Sequence, residues 1–244
     1  MSNRIITQHL EVSINGSPIP QVIRFSLVTD VASPFIQAAM DTLEVCGKAG
    51  DSVIVTLNDV ILFTGEILNV SRIGQYQRHT LTDGGNLLCA ASITPAYRKE
   101  AASSILSDIL DTAGIERKKI TVPDVELSRF SSPGISCYTA LVRLVETLQE
   151  HGYPGLRFFF DADNTFLFGT FADTAKNTDT EYTFSDTTNI LAHGKNGIEV
   201  FPLPIRHSQV IIINDEKRKT TRTELTCAYP RSRLHIVSEA LKNR

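Results

Sequence analysis

The segment from Gly50 to Asp83, GDSVIVTLNDVILFTGEILNVSRIGQYQRHTLTD, limits the fold more than any other. Apolar and polar residues alternate along it. Val53, Val55 and Leu57 fall on one face, and Ser52, Ile54 and Thr56 on the other. Period-two alternation belongs to a strand, because successive side chains leave opposite faces of a sheet. Asn58-Asp59 interrupts the run, and both residue types tolerate left-handed backbone and bond their own main chain. The spacing predicts a hairpin whose second arm runs past Gly65 towards Ser71. A turn at Ile73-Gly74-Gln75 then starts a third strand over Tyr76–Thr82. Three antiparallel strands with short turns make a meander, the unit of a small barrel or sandwich.

Elsewhere the grammar changes twice. Leu10–Ile14 is predicted to be a strand, Asn15-Gly16 a hairpin turn, and Val22–Thr29 its partner. Ser33-Pro34 has cap and first-turn chemistry for a short helix through Met40, and an irregular loop fits equally. Ala101–Ala113 and Ser136–His151 are predicted helices. Their stripes are Ile105, Leu106, Ile109 and Leu110 in the first, and Ala140, Leu141, Leu144, Val145 and Leu148 in the second, with Gly114 and Gly152 as stops. Lys118–Pro133 between them reads as an exposed connector. Strand signals return at Arg157–Phe160, with a turn over Asp161–Asn164 and a return over Thr165–Phe171, crowded by Phe158, Phe159, Phe160, Phe166, Phe168 and Phe171. Gly197–Phe201 and Gln209–Asn214 are further strands. Thr223–Ala228 pairs back after a basic tip at Asp215–Arg222, and Ile236–Lys242 reads as a short helical tail or a frayed end. The class is mainly β with α (α+β), divided into β-rich 1–90, helical 91–155 and β-rich 156–244. VIVTLNDVILFTG and QVIIINDEKRKTT each run an apolar strand into Asn-Asp, a hint of internal duplication.

The 244 residues allow one large or two small domains, and 42% hydrophobic content supplies a sizeable core. No apolar run approaches the roughly 20 residues of a membrane-spanning helix. The opening MSNRIITQHLEV shows no apolar h-region or cleavage site, so assembly in a cytoplasm is expected. Cys46, Cys89, Cys137 and Cys227 lie far apart and read as small buried hydrophobes. The histidines stand singly, without metal-ligand spacing. Asp161-Ala162-Asp163-Asn164 begins like a calcium loop, but Phe166 and Ala172 occupy the places of its glycine and its last acid. No nucleophile elbow, zinc-protease, P-loop or dinucleotide motif is present. Glu146 and Glu150 share a helix face, with no second convergent group. The sequence thus predicts no catalytic residue, no cofactor-binding residue and no metal ligand, and it argues against an enzyme. Net charge is -3, yet residues 195–244 carry ten Lys/Arg against five acids. A dipolar chain of this kind suits head-to-tail or stacked partners. Lys217, Arg218, Lys219 and Arg222 have phosphate-binding chemistry. No aromatic residue interleaves with them as a stacking platform, so a solvated turn or a subunit contact fits better than nucleic acid.

Four segments, in order, resemble the late control protein D family, the baseplate hub proteins of contractile phage tails. They are Val12–Gly16 with Phe25–Thr29, then Gly50–Asp83, then Ser104–Leu110 with Ala113-Gly114-Ile115, and lastly Leu167-Phe168-Gly169 with Val200–Val210. The resemblance implies two small antiparallel β-barrels flanking a helical region, and three chains in a ring of six barrels. Such a ring adapts a sixfold tail tube to a threefold spike by symmetry matching. It implies a homotrimer, a spike protein and a tail tube protein as partners, no membrane, no sequence-specific nucleic acid, and a place in the virion after assembly in the host cytoplasm. Many hubs are longer than this chain. A related reading is the hub half of a type VI secretion spike or a bacteriocin. Another is a two-barrel module for host-surface carbohydrate, motivated by Tyr153 and Phe158–Phe160. A cell-wall hydrolase lacks a catalytic constellation. Asn58, Asp59, Lys217, Arg218, Lys219 and Arg222 are the expected interface residues, as tips of matching hairpins.

Overall fold

Strand-forming sequence dominates both ends of the chain, and the two ends fold together. The computed structural model describes residues 9–174, 181–194, 196–228 and 231–241. It forms two units, Met1–Thr82 with Lys176–Arg244, and Asp83–Ala175. These bounds differ from a division at residues 90 and 155, because the β-rich ends share one unit and the hairpin after Leu156 belongs with the helices.

The first β-rich half contains β1 (Leu10–Ile14), β2 (Ser17–Pro18), β3 (Val22–Asp30), β4 (Ser33–Thr42), β5 (Ser52–Leu57), β6 (Val60–Ile73) and β7 (Tyr76–Thr82). The meander β5–β6–β7 matches the alternation in the sequence. Asn58 and Asp59 take φ of 50° and 67°, the left-handed pair that a tight two-residue hairpin needs. Val53, Val55 and Leu57 are buried while Ile54 faces out, and each buried aliphatic contributes about 1.5–3 kcal/mol. Register shifts in β6 at Leu62 and at Leu68 insert one residue each against β5 and β7. The first lets Leu62 and Phe63, neighbours in sequence, both enter the core.

Two expectations fail here. β3 is not the partner of β1: β1 pairs with β2 and β5, whereas β3 pairs with β4 and with a strand near the C-terminus. Ser33–Thr42 is neither helix nor loop but a ten-residue strand. Ile36, Ala38, Met40 and Thr42 are buried at alternate positions, so pairing on both sides overrides the cap-like Ser33-Pro34.

The second unit holds α1 (Gly85–Ala90), β8 (Ser92–Ile93), β9 (Ala96–Ala101), α2 (Ala102–Thr112), β10 (Lys118–Ile120) and β11 (Glu126–Ser131). It continues with β12 (Ile135–Ser136), α3 (Cys137–Glu150), β13 (Arg157–Phe160), β14 (Phe166–Gly169) and α4 (Phe171–Thr174). Ile105, Leu106, Ile109 and Leu110 of α2 are buried, as are Ala140, Leu141, Leu144 and Leu148 of α3. Gly114 ends α2 at φ 72°, and Ile115 N–H returns to the Leu110 carbonyl at 2.9 Å. The Ser136 hydroxyl caps α3 by accepting from Thr139 N–H at 3.1 Å. Lys118–Pro133 is not an exposed connector. It contributes β10, parallel to β14, and β11, antiparallel to β9, and it buries Leu127 and Phe130.

The second β-rich half contains β15 (Tyr182–Phe184), β16 (Ile190–Gly194), β17 (Gly197–Val200), β18 (Val210–Ile213), β19 (Glu216–Ala228) and β20 (Arg233–Ala240). Residues 236–240 are thus strand, not a helical tail, with Ile236 buried opposite Ile198 and Thr223; Lys242 lies outside the described residues. In the first half the hydrogen-bonded order is β3-β4-β7-β6-β5-β1, and in the second it is β16-β17-β20-β19-β18-β15. The order is the same strand for strand, and it differs only in the direction of the last strand, antiparallel for β1 on β5 and parallel for β15 on β18. The path joining them, from β16 to β2, is open, so the described sheet does not close into two barrels. One hydrophobic core runs through both halves, from Val12 to Ile236.

Candidate functional site

The duplication extends to individual hydrogen bonds. In the first half Asn58 donates its N–H to the His9 carbonyl (2.9 Å), and its Oδ1 accepts from His9 N–H (3.0 Å). In the second half Asn214 N–H donates to the Phe184 carbonyl (2.9 Å), and its Oδ1 accepts from Asp186 N–H (3.2 Å). Asn214 and Asp215 take φ of 47° and 67°, matching Asn58 and Asp59. Each turn therefore pins its hairpin to the neighbouring outer strand. A second brace repeats as well. Gly50 N–H bonds Ile67 O (2.8 Å) and Ile67 N–H bonds Asp51 O (2.9 Å), while Ser208 N–H bonds Thr220 O and Thr220 N–H bonds Gln209 O, both at 2.8 Å. Gly50 and Ser208 both have positive φ, 88° and 70°. One residue beyond each brace comes a bulge, at Leu68 in β6 and at Thr221 in β19.

The expected interface residues fall differently from the expectation. Asn58 and Asp59 form a hairpin turn, but its counterpart is Asn214-Asp215. Lys217, Arg218, Lys219 and Arg222 are not a tip: they lie within β19, beyond that turn. Each is ion-paired within the chain. Lys217 lies 3.7 Å from Glu181, Arg218 2.8 Å from Glu216, and Lys219 3.3 Å from Glu239. Arg222 lies 2.7 Å from Glu224 and 3.0 Å from Asp30. Glu224 and then Asp30 raise the Arg222 pKa by bonding the charged guanidinium. Charges placed on a pleated strand meet acids two residues along the same face or on a neighbouring segment, so the stretch reads as basic in sequence while each of these four cations is paired in the fold. Lys195, Lys242 and Arg244 of the basic C-terminal region lie outside the described residues.

What sequence reasoning missed is the junction between the halves. Arg24–Asp30 of β3 pair with Arg222–Ala228 of β19, from Asp30 opposite Arg222 to Arg24 opposite Ala228. Beneath this ladder the Thr29 and Thr223 hydroxyls meet at 2.8 Å, buried, and His207 N–H donates to Thr29 Oγ1 at 3.1 Å. Val31 N–H bonds the carbonyl of bulged Thr221 at 2.9 Å. The only local signal was Ser208-Gln209 entering a strand as Gly50-Asp51 does, and no sequence pattern gave the partner of β3.

The second unit offers shallow recesses. One of about 310 Å³ is lined by Arg129, Phe130, Ser131, Arg143, Glu146, Thr147 and Glu150. Glu146 and Glu150 do share a face there, with Arg143 on the same helix, and the Arg143 guanidinium bonds Ser132 Oγ. Asp161 and Asp163 accept N–H groups of their own turn, from Ala162 and Thr165. Among the described residues no cluster of three His, Cys, Asp or Glu side chains is placed to hold a metal. Phe159 and Phe160 are buried and Phe158 half-buried, which removes most of the aromatic surface that suggested sugar stacking. Arg157 lies over the rings of Phe159 and Phe171, at 5.4 and 5.0 Å, and burial lowers its pKa to about 10. Among the described residues no helix is long and apolar enough to cross a membrane.

No family model matches the sequence, and no curated protein matches it. Solved structures do match the fold over its whole length. A 43 kDa tail protein of prophage MuSo2 from Shewanella oneidensis superposes with a TM-score of 0.74 at 10% identity, covering 96% of this chain and 98% of that one. A tail protein from Neisseria meningitidis MC58 gives 0.71 at 11% identity, covering 95% and 96%. The E. coli c3393 protein gives 0.71 at 13% identity, covering 95% and 77%. It is described as a type VI secretion component with structural similarity to the T4 bacteriophage tail proteins gp27 and gp5. The chain therefore has the fold shared by these phage tail and secretion-system proteins.

Proposed function

We propose that this protein is a non-enzymatic structural hub of a contractile phage tail tip. In this reading three copies form a ring of six small β modules that meets a sixfold tail tube on one face and a threefold spike on the other. It assembles in the host cytoplasm and ends in the virion baseplate. The observation that carries the proposal is the repeated six-strand topology within one chain, β3-β4-β7-β6-β5-β1 and β16-β17-β20-β19-β18-β15. Two near-equivalent modules per chain become six in a trimer, which is how one polypeptide serves both threefold and sixfold neighbours. The full-length likeness to phage tail proteins supports it, as does the four-segment resemblance to the late control protein D family.

The likeness to a type VI secretion component supports a second reading, the hub half of a secretion or bacteriocin spike, with the same ring and a different tube. Light scattering of the purified chain, alone and with a spike protein from the same source, tests both. A mass near three times 26.9 kDa, or a complex holding three copies of this chain, is expected. A strict monomer that ignores the spike contradicts both.

A further inference from the structure

The junction inside the chain leaves two edges elsewhere that match its two sides. β3 is the outermost strand of the first half and pairs with β19 of the second. The strand equivalent to β3 is β16, and its outer edge has no partner among the described residues. The strand equivalent to β19 is β6. Beyond its bulge, Asn69–Ile73 pair with β7 on one side and, among the described residues, with no strand on the other. The braces and bulges fix the correspondence residue by residue: Ile67 with Thr220, Leu68 with Thr221, and hence Asn69 with Arg222. Likewise Asp30 faces Ser33 and Gly194 faces Gly197, at the same spacing.

Both edges have the character of strands awaiting a partner. β16 reads Ile-Leu-Ala-His-Gly, with no lysine, acid or proline to guard it against pairing. Leu191 on it is 49% exposed, and Leu68 and Ile73 on the β6 edge are 48% and 46% exposed. The β3 edge, which carries Asp30 and Arg24, is the one already covered.

We infer that β16 of one copy adds as an antiparallel strand to Asn69–Ile73 of the next copy, reproducing between chains the β3–β19 junction within the chain. Gly194 then lies opposite Asn69, His193 opposite Val70, and Ala192 opposite Ser71, as Asp30, Thr29 and Val28 lie opposite Arg222, Thr223 and Glu224. The contact is head-to-tail, using a different patch on each copy, so it closes into a ring when the rotation per copy divides a full turn. Intrachain and interchain junctions then alternate, and all modules stand in near-equivalent settings. The inference rests on the ring-forming reading above and assigns the contact that makes the ring.

Cysteines at the paired positions test it. Ala192→Cys and Ser71→Cys are combined in a Cys89→Ser background, which removes the exposed native thiol, and the full chain is oxidised with diamide. The expected result is a ladder of linked dimer and trimer on non-reducing gels, absent when Ser71→Cys is replaced by Ile54→Cys on the outer face of β5. Ala192→Lys and Ser71→Lys, each on an exposed edge, should convert the oligomer to a monomer that keeps the far-UV circular dichroism of the folded chain. An oligomer of unchanged mass that neither cross-links at this pair nor responds to either lysine overturns this contact and leaves the ring reading standing. A monomer under all conditions, with spike included, overturns both.

Discussion

The two β-rich halves share one strand order, one kind of Asn-Asp turn, one backbone brace and one bulge, yet they differ at their margins. The outer strand β1 runs antiparallel to β5, whereas β15 runs parallel to β18. The first half continues its sheet through β3 into β19; the second ends at β16, whose outer edge is unpaired among the described residues. What the halves keep in common is the machinery that shapes one module, and what they vary is the route by which the chain enters it. The unlike margins show that the module tolerates different neighbours.

The comparison breaks most readily at the shared core. Phe25 of β3 is fully buried and lies opposite Cys227 across the junction. Phe25→Ala should cost roughly 3–5 kcal/mol and lower a single melting transition for the β-rich unit, read by circular dichroism. Two separated transitions, with only one displaced, would mean that the halves fold independently and that the junction is incidental. Thr29→Val has a smaller effect. It leaves His207 N–H and the Thr223 hydroxyl short of a buried partner, which costs about 1–3 kcal/mol in chemical denaturation. A neutral result would show that water replaces Thr29 there.

Smaller changes sharpen the likeness of the turns. Asn58→Gly keeps the left-handed turn accessible and loses only the clamp on His9, while Asn58→Ala loses both. The alanine variant should be less stable than the glycine variant by about 1 kcal/mol, and Asn214→Ala against Asn214→Gly should repeat that difference. Unequal differences would show that the two turns carry unlike strain. The smallest effect is in pH. Hydrogen bonds from Asn214 and then from His193 hold the Asp186 carboxyl below its ordinary pKa. A carboxylate depressed in the folded state stabilises fully above its unfolded value of about 3.9, and that stabilisation is lost as pH falls through the folded value. The Asn214 side-chain amide resonance should therefore shift at a pH below that of an ordinary aspartate. A midpoint at the ordinary value would place the bond outside the solution structure. Asn58, whose counterpart bonds go to His9 backbone atoms, should not show this titration.

Much of the module was legible because its signals are local. Strict alternation and Asn58-Asp59 gave β5, β6 and β7 nearly to the residue, and periodic leucines with Gly114 and Gly152 gave α2 and α3. Errors gathered where a local signal mimicked another state or where pairing was distant. Ser33-Pro34 imitates a helix start, but β4 is decided by β3 and β7 on either side. Lys217, Lys219 and Arg222 looked solvated because acids from other segments, Glu181, Glu239 and Asp30, meet them in the fold, and Arg218 because its acid, Glu216, lies two residues along the same strand. The duplication showed only as two Asn-Asp pairs. Its proof lies in bonds such as Ser208 to Thr220, and no sequence period reveals them. The junction of β3 with β19 joins residues almost two hundred positions apart, and nothing local to either strand names the other.

The most direct test of the account is the shape of the assembled particle seen end-on by electron microscopy, alone or on its spike. Two equivalent modules per chain in a trimer predict a ring with six lobes, in which a sixfold repeat dominates and a threefold component distinguishes alternate lobes. Three broad lobes without a sixfold repeat, or single particles of 26.9 kDa with no ring, would contradict it.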